Sequence, residues 1–208
     1  MAARFLLVVV SALATATHAD ADGYGVLRFT GGTGLPIEDD TWAQSANNSP
    51  KLAAGVGGVF YRNIGAMFTA DFTIVRLDDN QDLFAIGTSN EKLRRARLLG
   101  NLLYEIPNVA PRLSLCVRAG IGADLTWASY DRFAGGTNYP RSLTHGGLAL
   151  EVAMAAWWFV GPGFEVGAEF ALPISHYASE TAPGGATGFR YTSLDLDLML
   201  GVRMTSDH

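Results

Sequence analysis

The chain has 208 residues, a formal net charge of −5, 17% charged residues, 24 glycines and one cysteine. That length holds one domain or at most two. The acidic balance excludes a basic nucleic-acid surface, and a lone Cys116 excludes an intrachain disulfide.

Met1–Ala19 reads as a secretory signal peptide. Arg4 supplies the positive n-region, Phe5 to Ala14 the apolar run, and Thr17-His18-Ala19 the cleavage site. The run is shorter than the roughly 18–20 residues of a spanning helix. The expected division is therefore 1–19 as signal and 20–208 as one barrel domain, the mature chain starting at Asp20.

From there the pattern is period two. Strand one is Gly23–Thr30, followed by a long polar connection, Gly31–Pro50. Its Gly31-Gly32-Thr33-Gly34 lacks the lysine and helix of a phosphate loop and reads as a flexible turn. Strand two, Lys51–Tyr61, sets Leu52, Ala54, Val56 and Phe60 against Ala53, Gly55 and Gly57. A short turn at Arg62–Ile64 leads to strand three, Gly65–Arg76. A second long connection, Leu77–Lys92, precedes strand four, Leu93–Ile106. There Leu99 and Leu103 fall on the charged face. After the short turn Pro107–Pro111, strand five (Arg112–Trp127) alternates most cleanly. Leu113, Leu115, Val117, Ile121, Leu125 and Trp127 oppose Arg112, Cys116, Arg118 and Asp124, with Arg112 at the rim.

A third long connection, Ala128–Gly146, leads to Gly147–Leu172, two strands joined at Gly161-Pro162-Gly163. Leu148, Leu150, Val152, Met154 and Trp158 share one wall with Phe164, Val166, Phe170 and Leu172. Glu151, Glu165 and Glu169 share the other. A fourth long connection, Pro173–Gly188, precedes strand eight. In it Leu194, Leu196, Leu198, Leu200, Val202 and Met204 oppose Asp195, Asp197 and Arg203.

Eight strands with strictly alternating long and short connections point to an all-β, antiparallel, up-and-down transmembrane barrel. Short turns lie at the periplasmic end and four long loops outside. A strand needs about 9–11 residues to cross a tilted bilayer, and most of these segments reach that. Aromatics beside the short turns (Phe60, Tyr61, Tyr104, Trp157, Trp158, Phe159, Phe164) and near the long connections (Phe72, Trp127, Phe170, Tyr191) suggest two interfacial girdles.

With the apolar face toward lipid, the lumen collects Arg28, Arg95, Arg97, Arg118 and Arg203 with Asp71, Glu105, Asp124, Glu151, Glu165, Glu169, Asp195 and Asp197. An eight-stranded barrel is just wide enough to be filled by side chains, so this mixed network is expected to plug it. Glycine and alanine on that face would leave room for the long charged ones.

On these features, and on phrases such as Arg118-Ala119-Gly120-Ile121-Gly122-Ala123, the stretch from Gly23 to Met204 resembles the small eight-stranded outer-membrane barrels, the OmpA-barrel, OmpX, OmpW and opacity-protein group. Members often end on an aromatic residue, whereas Met204 precedes Thr205-Ser206-Asp207-His208 here. No peptidoglycan-anchoring domain is expected after strand eight. The resemblance implies a monomer in the outer membrane. Its expected partners are outer-membrane lipid, lipopolysaccharide-type lipids, the outer-membrane assembly machinery and a surface ligand on the outer loops. The role is structural or surface-interacting, with a narrow OmpW-like channel for small hydrophobic molecules as the alternative.

No catalytic, cofactor-binding or metal residue is expected. Some barrels of this kind are lipid A deacylases, with a His and a Ser two residues apart. Here His176 has Ala178 at that spacing, with Ser179 three away. His145 reads as a loop residue. Asp78-Asp79-Asn80-Gln81-Asp82 lacks the glycine and the distal glutamate of a calcium loop.

Overall fold

The computed structural model describes residues 23–37, 46–77, 88–134, 137–177 and 191–206. The signal peptide, the acidic run Asp78–Asp82 and the positions Ala178 and Ser179 lie outside the described residues.

The elements are β1 (Tyr24–Pro36), β2 (Ala46–Asn47), β3 (Ser49–Tyr61), β4 (Ile64–Leu77), β5 (Thr88–Ala110), β6 (Leu113–Ala134), β7 (Thr137–Gly161), β8 (Phe164–Tyr177) and β9 (Tyr191–Thr205). Apart from the two-residue β2, which pairs at the end of β4, these are eight long antiparallel strands. They pair in the ring β1–β3–β4–β5–β6–β7–β8–β9, and β9 closes on β1. Closure leaves no strand edge at membrane depth, the condition for crossing hydrocarbon with sheet.

The three short turns show why these residues stand there. Arg62 and Asn63 both adopt left-handed backbone (φ 43° and 70°), the conformation of a tight hairpin turn matched to strand twist. At the β7–β8 turn, Pro162 is followed by Gly163 at φ 65°, a pairing only glycine adopts without strain. Arg112, assigned from sequence to the lumen rim, sits in the β5–β6 turn at φ 66° and is exposed.

Alternation sets the two walls. Leu52, Leu102 and Leu200 are 68%, 69% and 71% exposed on the outer surface, amid a belt that includes Ile121, Val152, Phe68 and Phe170. An apolar surface of this extent does not suit a water-soluble monomer. Tyr61, Tyr104, Trp158 and Phe159 are exposed near the short turns, and Phe72 and Trp127 near the other end. Phe170 pairs with Met154 and Leu198 at mid-strand and so belongs to the belt, not a girdle. Trp157 is 1% exposed and faces the lumen.

The expectation of four long loops changes at three places. Residues 31–34 are paired strand on both sides, opposite β3 and β9, and not a flexible turn. β8 continues through Tyr177, which takes Pro173–Tyr177 out of the fourth connection. The largest change concerns Ala128–Gly146. β6 and β7 pair continuously to Ala134 and Thr137, and β5 pairs with β6 as far as Thr88 and Arg132. β5, β6 and β7 thus form a wall that continues past the last β7–β8 pair, Gly147 with Tyr177. Strand pairing away from lipid needs no apolar alternation, so the periodicity carried no sign of it.

Inward glycines have two jobs. Gly120 makes room for a side chain, since a Cβ there would overlap Asn101 Oδ1. Gly122 makes room for backbone: a Cβ would overlap the Leu98 carbonyl oxygen of β5. The second kind lets strands curve closely past each other, as a narrow barrel demands. Gly122→Val should therefore destabilise the refolded barrel by about 2–3 kcal/mol or more, because a backbone shift must relieve the overlap. A fall in urea midpoint would register it.

Candidate functional site in the lumen

The inward parity of eight strands brings six cations and eight carboxylates into one column. All thirteen residues assigned to it from sequence are buried, from Asp124 at 0% to Glu165 at 9% exposed. They sort into three groups along the axis.

At the short-turn end, Arg203 of β9 forms a two-pronged pair with Glu105 of β5, Nη1 and Nη2 donating at 2.9 and 2.8 Å. Its Nε donates to Glu165, its cross-strand neighbour on β8. Nη2 also donates to Ser114 Oγ at 3.1 Å. The guanidinium lies 5.4 Å from the Trp157 ring centroid, within cation–π range. Trp157 in turn lies over Gly167, where a Cβ would crowd the indole. Val26, Val59, Met67, Leu103 and Cys116 cluster with it.

At the waist, Arg118 of β6 reaches Glu151 of β7 at 2.7 Å and Glu169 of β8 at 2.6 Å. Arg28 of β1 pairs with Glu169 as well. Arg28 and Arg203 are directly opposed across β1 and β9, a like-charge contact that is unfavourable by itself. It is offset because Arg28 engages Glu169, four residues along β8 from the Glu165 that holds Arg203. Asn101 completes the waist. Its Nδ2 donates to Thr69 Oγ1 at 3.0 Å and to the Met67 carbonyl at 3.2 Å, while Oδ1 accepts from Arg118 at 3.4 Å.

Toward the long-connection end, every carboxylate is an aspartate. Arg97 stands between Asp71 on β4 and Asp124 on β6, its cross-strand neighbours, at 3.3 and 3.9 Å. Arg95 reaches Asp195 at 2.5 Å and Asp124 at 3.6 Å. Asp124 also accepts from Ser175 Oγ at 2.5 Å, and Thr126 and Tyr177 share a 2.8 Å hydrogen bond above it.

Lys51 was absent from the sequence assignment. It opened a predicted strand, beside a connection rich in turn formers, and that masked its role. Its parity with Ala53 was the available signal. Lys51 Nζ lies 2.9 Å from Asp71 on β4 and pairs directly with Asp197 on β9, reaching over the inner face of β1, which lies between β3 and β9. Lys51→Met should cost about 3 kcal/mol of unfolding stability, since it strands buried carboxylates. A Lys51→Arg variant should recover most of it in the same urea titration.

A recess of about 650 Å³ at the short-turn mouth reaches in as far as Glu105, Glu165 and Arg203, and the space narrows beyond them. A cavity of about 10 Å³ lies among Arg118, Glu169, Trp157 and Arg203, about the room one water needs. No group of three or more His, Cys, Asp or Glu suited to a metal occurs among the described residues.

His176 lies within β8, facing outward, and its Nδ1 is 3.0 Å from Thr192 Oγ1. Ser175 next to it faces inward onto Asp124. The two side chains point to opposite walls.

No family model and no curated protein sequence matches the chain. Solved structures do. A major outer membrane protein from Thermus thermophilus superposes with a TM-score of 0.59 at 13% identity, covering 89% of this chain and 100% of that one. Ail, the attachment invasion locus protein of Yersinia pestis, gives 0.54 at 13% identity with the same coverage. Neisserial surface protein A gives 0.52 at 13% identity, covering 88% and 97%. The chain has the fold of the small eight-stranded outer-membrane barrels. With the apolar belt outside and the ion pairs inside, this barrel is an outer-membrane protein.

Proposed function

We propose that this outer-membrane barrel is a closed structural and surface-interaction protein, its work done at the end bearing the long connections. The observation that carries this reading is the lumen. Its ion pairs cross the barrel between β5 and β9 toward both ends, and at the waist Glu169 links Arg28 of β1 to Arg118 of β6, beside a cavity of about 10 Å³. A solute path would need that column dismantled.

The short turns are assigned to the periplasm and the β5–β6–β7 wall to the outside, following the usual asymmetry of such barrels. The wall offers a paired sheet as its platform. Ail bears the name attachment invasion locus protein, and a surface-interaction role suits a paired sheet at this end. The barrel is further proposed to be non-enzymatic. His176 is taken up by Thr192, and Ser175 by Asp124. His176→Ala should leave the acylation of co-reconstituted lipid A unchanged and the unfolding free energy from a urea titration within about 0.5 kcal/mol of wild type.

Vesicles carrying the protein should retain small sugars and small apolar dyes alike. Selective release of the apolar dye would favour a narrow hydrophobic channel, and release of both an open pore.

A further inference from the structure

The outer wall carries an arginine where the belt calls for an apolar residue. Arg94 lies on the outward parity of β5, exposed, between Ile74 of β4 and Trp127 of β6. Lys92, two residues nearer the long-connection end, is exposed on the same face. Neither makes an ion pair among the described residues. An outward cation at a belt edge ordinarily extends its head into the headgroup region.

Directly below Arg94 the wall is hollowed. A groove of about 610 Å³ runs across β5, β4, β3 and β1, its floor formed by Ala96, Ala70 and Ala54 and its sides by Phe72, Leu52 and Phe29. Ala96 pairs with Phe72, and Phe72 with Leu52. One step lower Leu98 pairs with Ala70, and Ala70 with Ala54. The hollow is therefore continuous with the strand face that bears Arg94. A guanidinium above an apolar trough matches an amphiphile with an anionic head and an acyl tail. The planar fork suits phosphate, which it grips with two parallel hydrogen bonds.

We propose that this face is a binding site for a phosphate-bearing acyl lipid of the outer leaflet, with Arg94 and Lys92 on the phosphate and one acyl chain in the groove over Ala96, Ala70 and Ala54. The proposal rests on assigning the long-connection end to the outside. It adds a defined lipid partner to a barrel otherwise read as acting on surface ligands.

The test is native mass spectrometry of the refolded full barrel in detergent, titrated with diphosphoryl lipid A and, separately, with its dephosphorylated form. Each variant is first checked for a heat-dependent shift on a denaturing gel, which separates loss of the site from loss of the barrel. The wild type should retain one diphosphoryl lipid and bind the dephosphorylated form far more weakly. Arg94→Gln with Lys92→Gln should weaken retention by roughly tenfold or more, the scale of a lost charge-assisted contact. Ala70→Leu, which fills the groove and keeps both cations, should weaken it as well. Equal retention of the two lipids, or wild-type retention by either folded variant, would overturn the site.

Discussion

Arg203→Met should lower the unfolding free energy of the refolded barrel by about 3–5 kcal/mol, the cost of stranding one side of a buried ion pair. The position concentrates more contacts than any other lumen cation among the described residues. Three nitrogens engage Glu105, Glu165 and Ser114, and the guanidinium sits against Trp157. Methionine fills much of the same volume, so the effect reports charge more than a cavity. Glu105 and Glu165, at 4% and 9% exposure, would then face each other with no counter-charge. Adding Glu105→Gln and Glu165→Gln to Arg203→Met should recover a substantial part of the loss, because neutral amides carry a far smaller desolvation penalty. If Arg203→Met alone cost less than about 1 kcal/mol, the pairing would be no more than a surface salt bridge in strength, and the buried node would be refuted.

Emptying the waist should turn a closed barrel into a conducting one. Arg28, Arg118, Glu151 and Glu169 are joined by the pairs Arg28–Glu169, Arg118–Glu169 and Arg118–Glu151. Replacing all four by alanine removes two positive and two negative groups and leaves the net charge unchanged. The variant therefore tests obstruction without a large change in the field. In planar bilayers the wild type should remain at the leak of a bare bilayer. The variant, once shown by heat-dependent gel mobility to be folded, should give discrete conductance steps. Steps in the wild type would make the lumen a pore already. A folded variant that stays silent would place the obstruction at the Arg203 node or at the Lys51–Asp71–Asp197 group.

The barrel is legible in the sequence because parity is a strict code at membrane depth. Leu113, Leu115, Val117 and Ile121 must meet lipid, so Cys116, Arg118 and Asp124 must turn inward. Leu99 and Leu103 blurred the pattern of their strand, yet both are buried in the lumen at 1% and 4% exposure. There they pack beside the ion pairs without reversing the strand. Parity does not say which inward charge meets which. The Arg97–Asp71 and Arg97–Asp124 neighbours depend on register, the Lys51–Asp197 pair depends on the closure that seats β1 between β3 and β9, and the Arg95–Asp195 pair crosses the ring. Trp157 illustrates a second limit. It shares the parity of Glu151, but adjacency to Trp158 drew it into the girdle, whereas Gly167 opposite it provides a lumen seat. Outside the membrane the code lapses, and the β6–β7 arm from Ala128 to Gly146 went unseen for that reason. Arg94 is the converse case, an outward charge that parity marks as an exception and the groove beneath it accounts for.

Trp157 and Trp158 are consecutive residues on opposite walls, which makes them a direct probe of which face meets lipid. Two single-tryptophan barrels, one keeping only Trp157 and one only Trp158, would be reconstituted in vesicles of brominated phospholipid, with the other tryptophans replaced by phenylalanine. Bromine on an acyl chain should quench Trp158 strongly and leave Trp157 nearly as bright as in unbrominated lipid. Quenching of Trp157 with Trp158 spared would turn the barrel inside out and contradict the whole account.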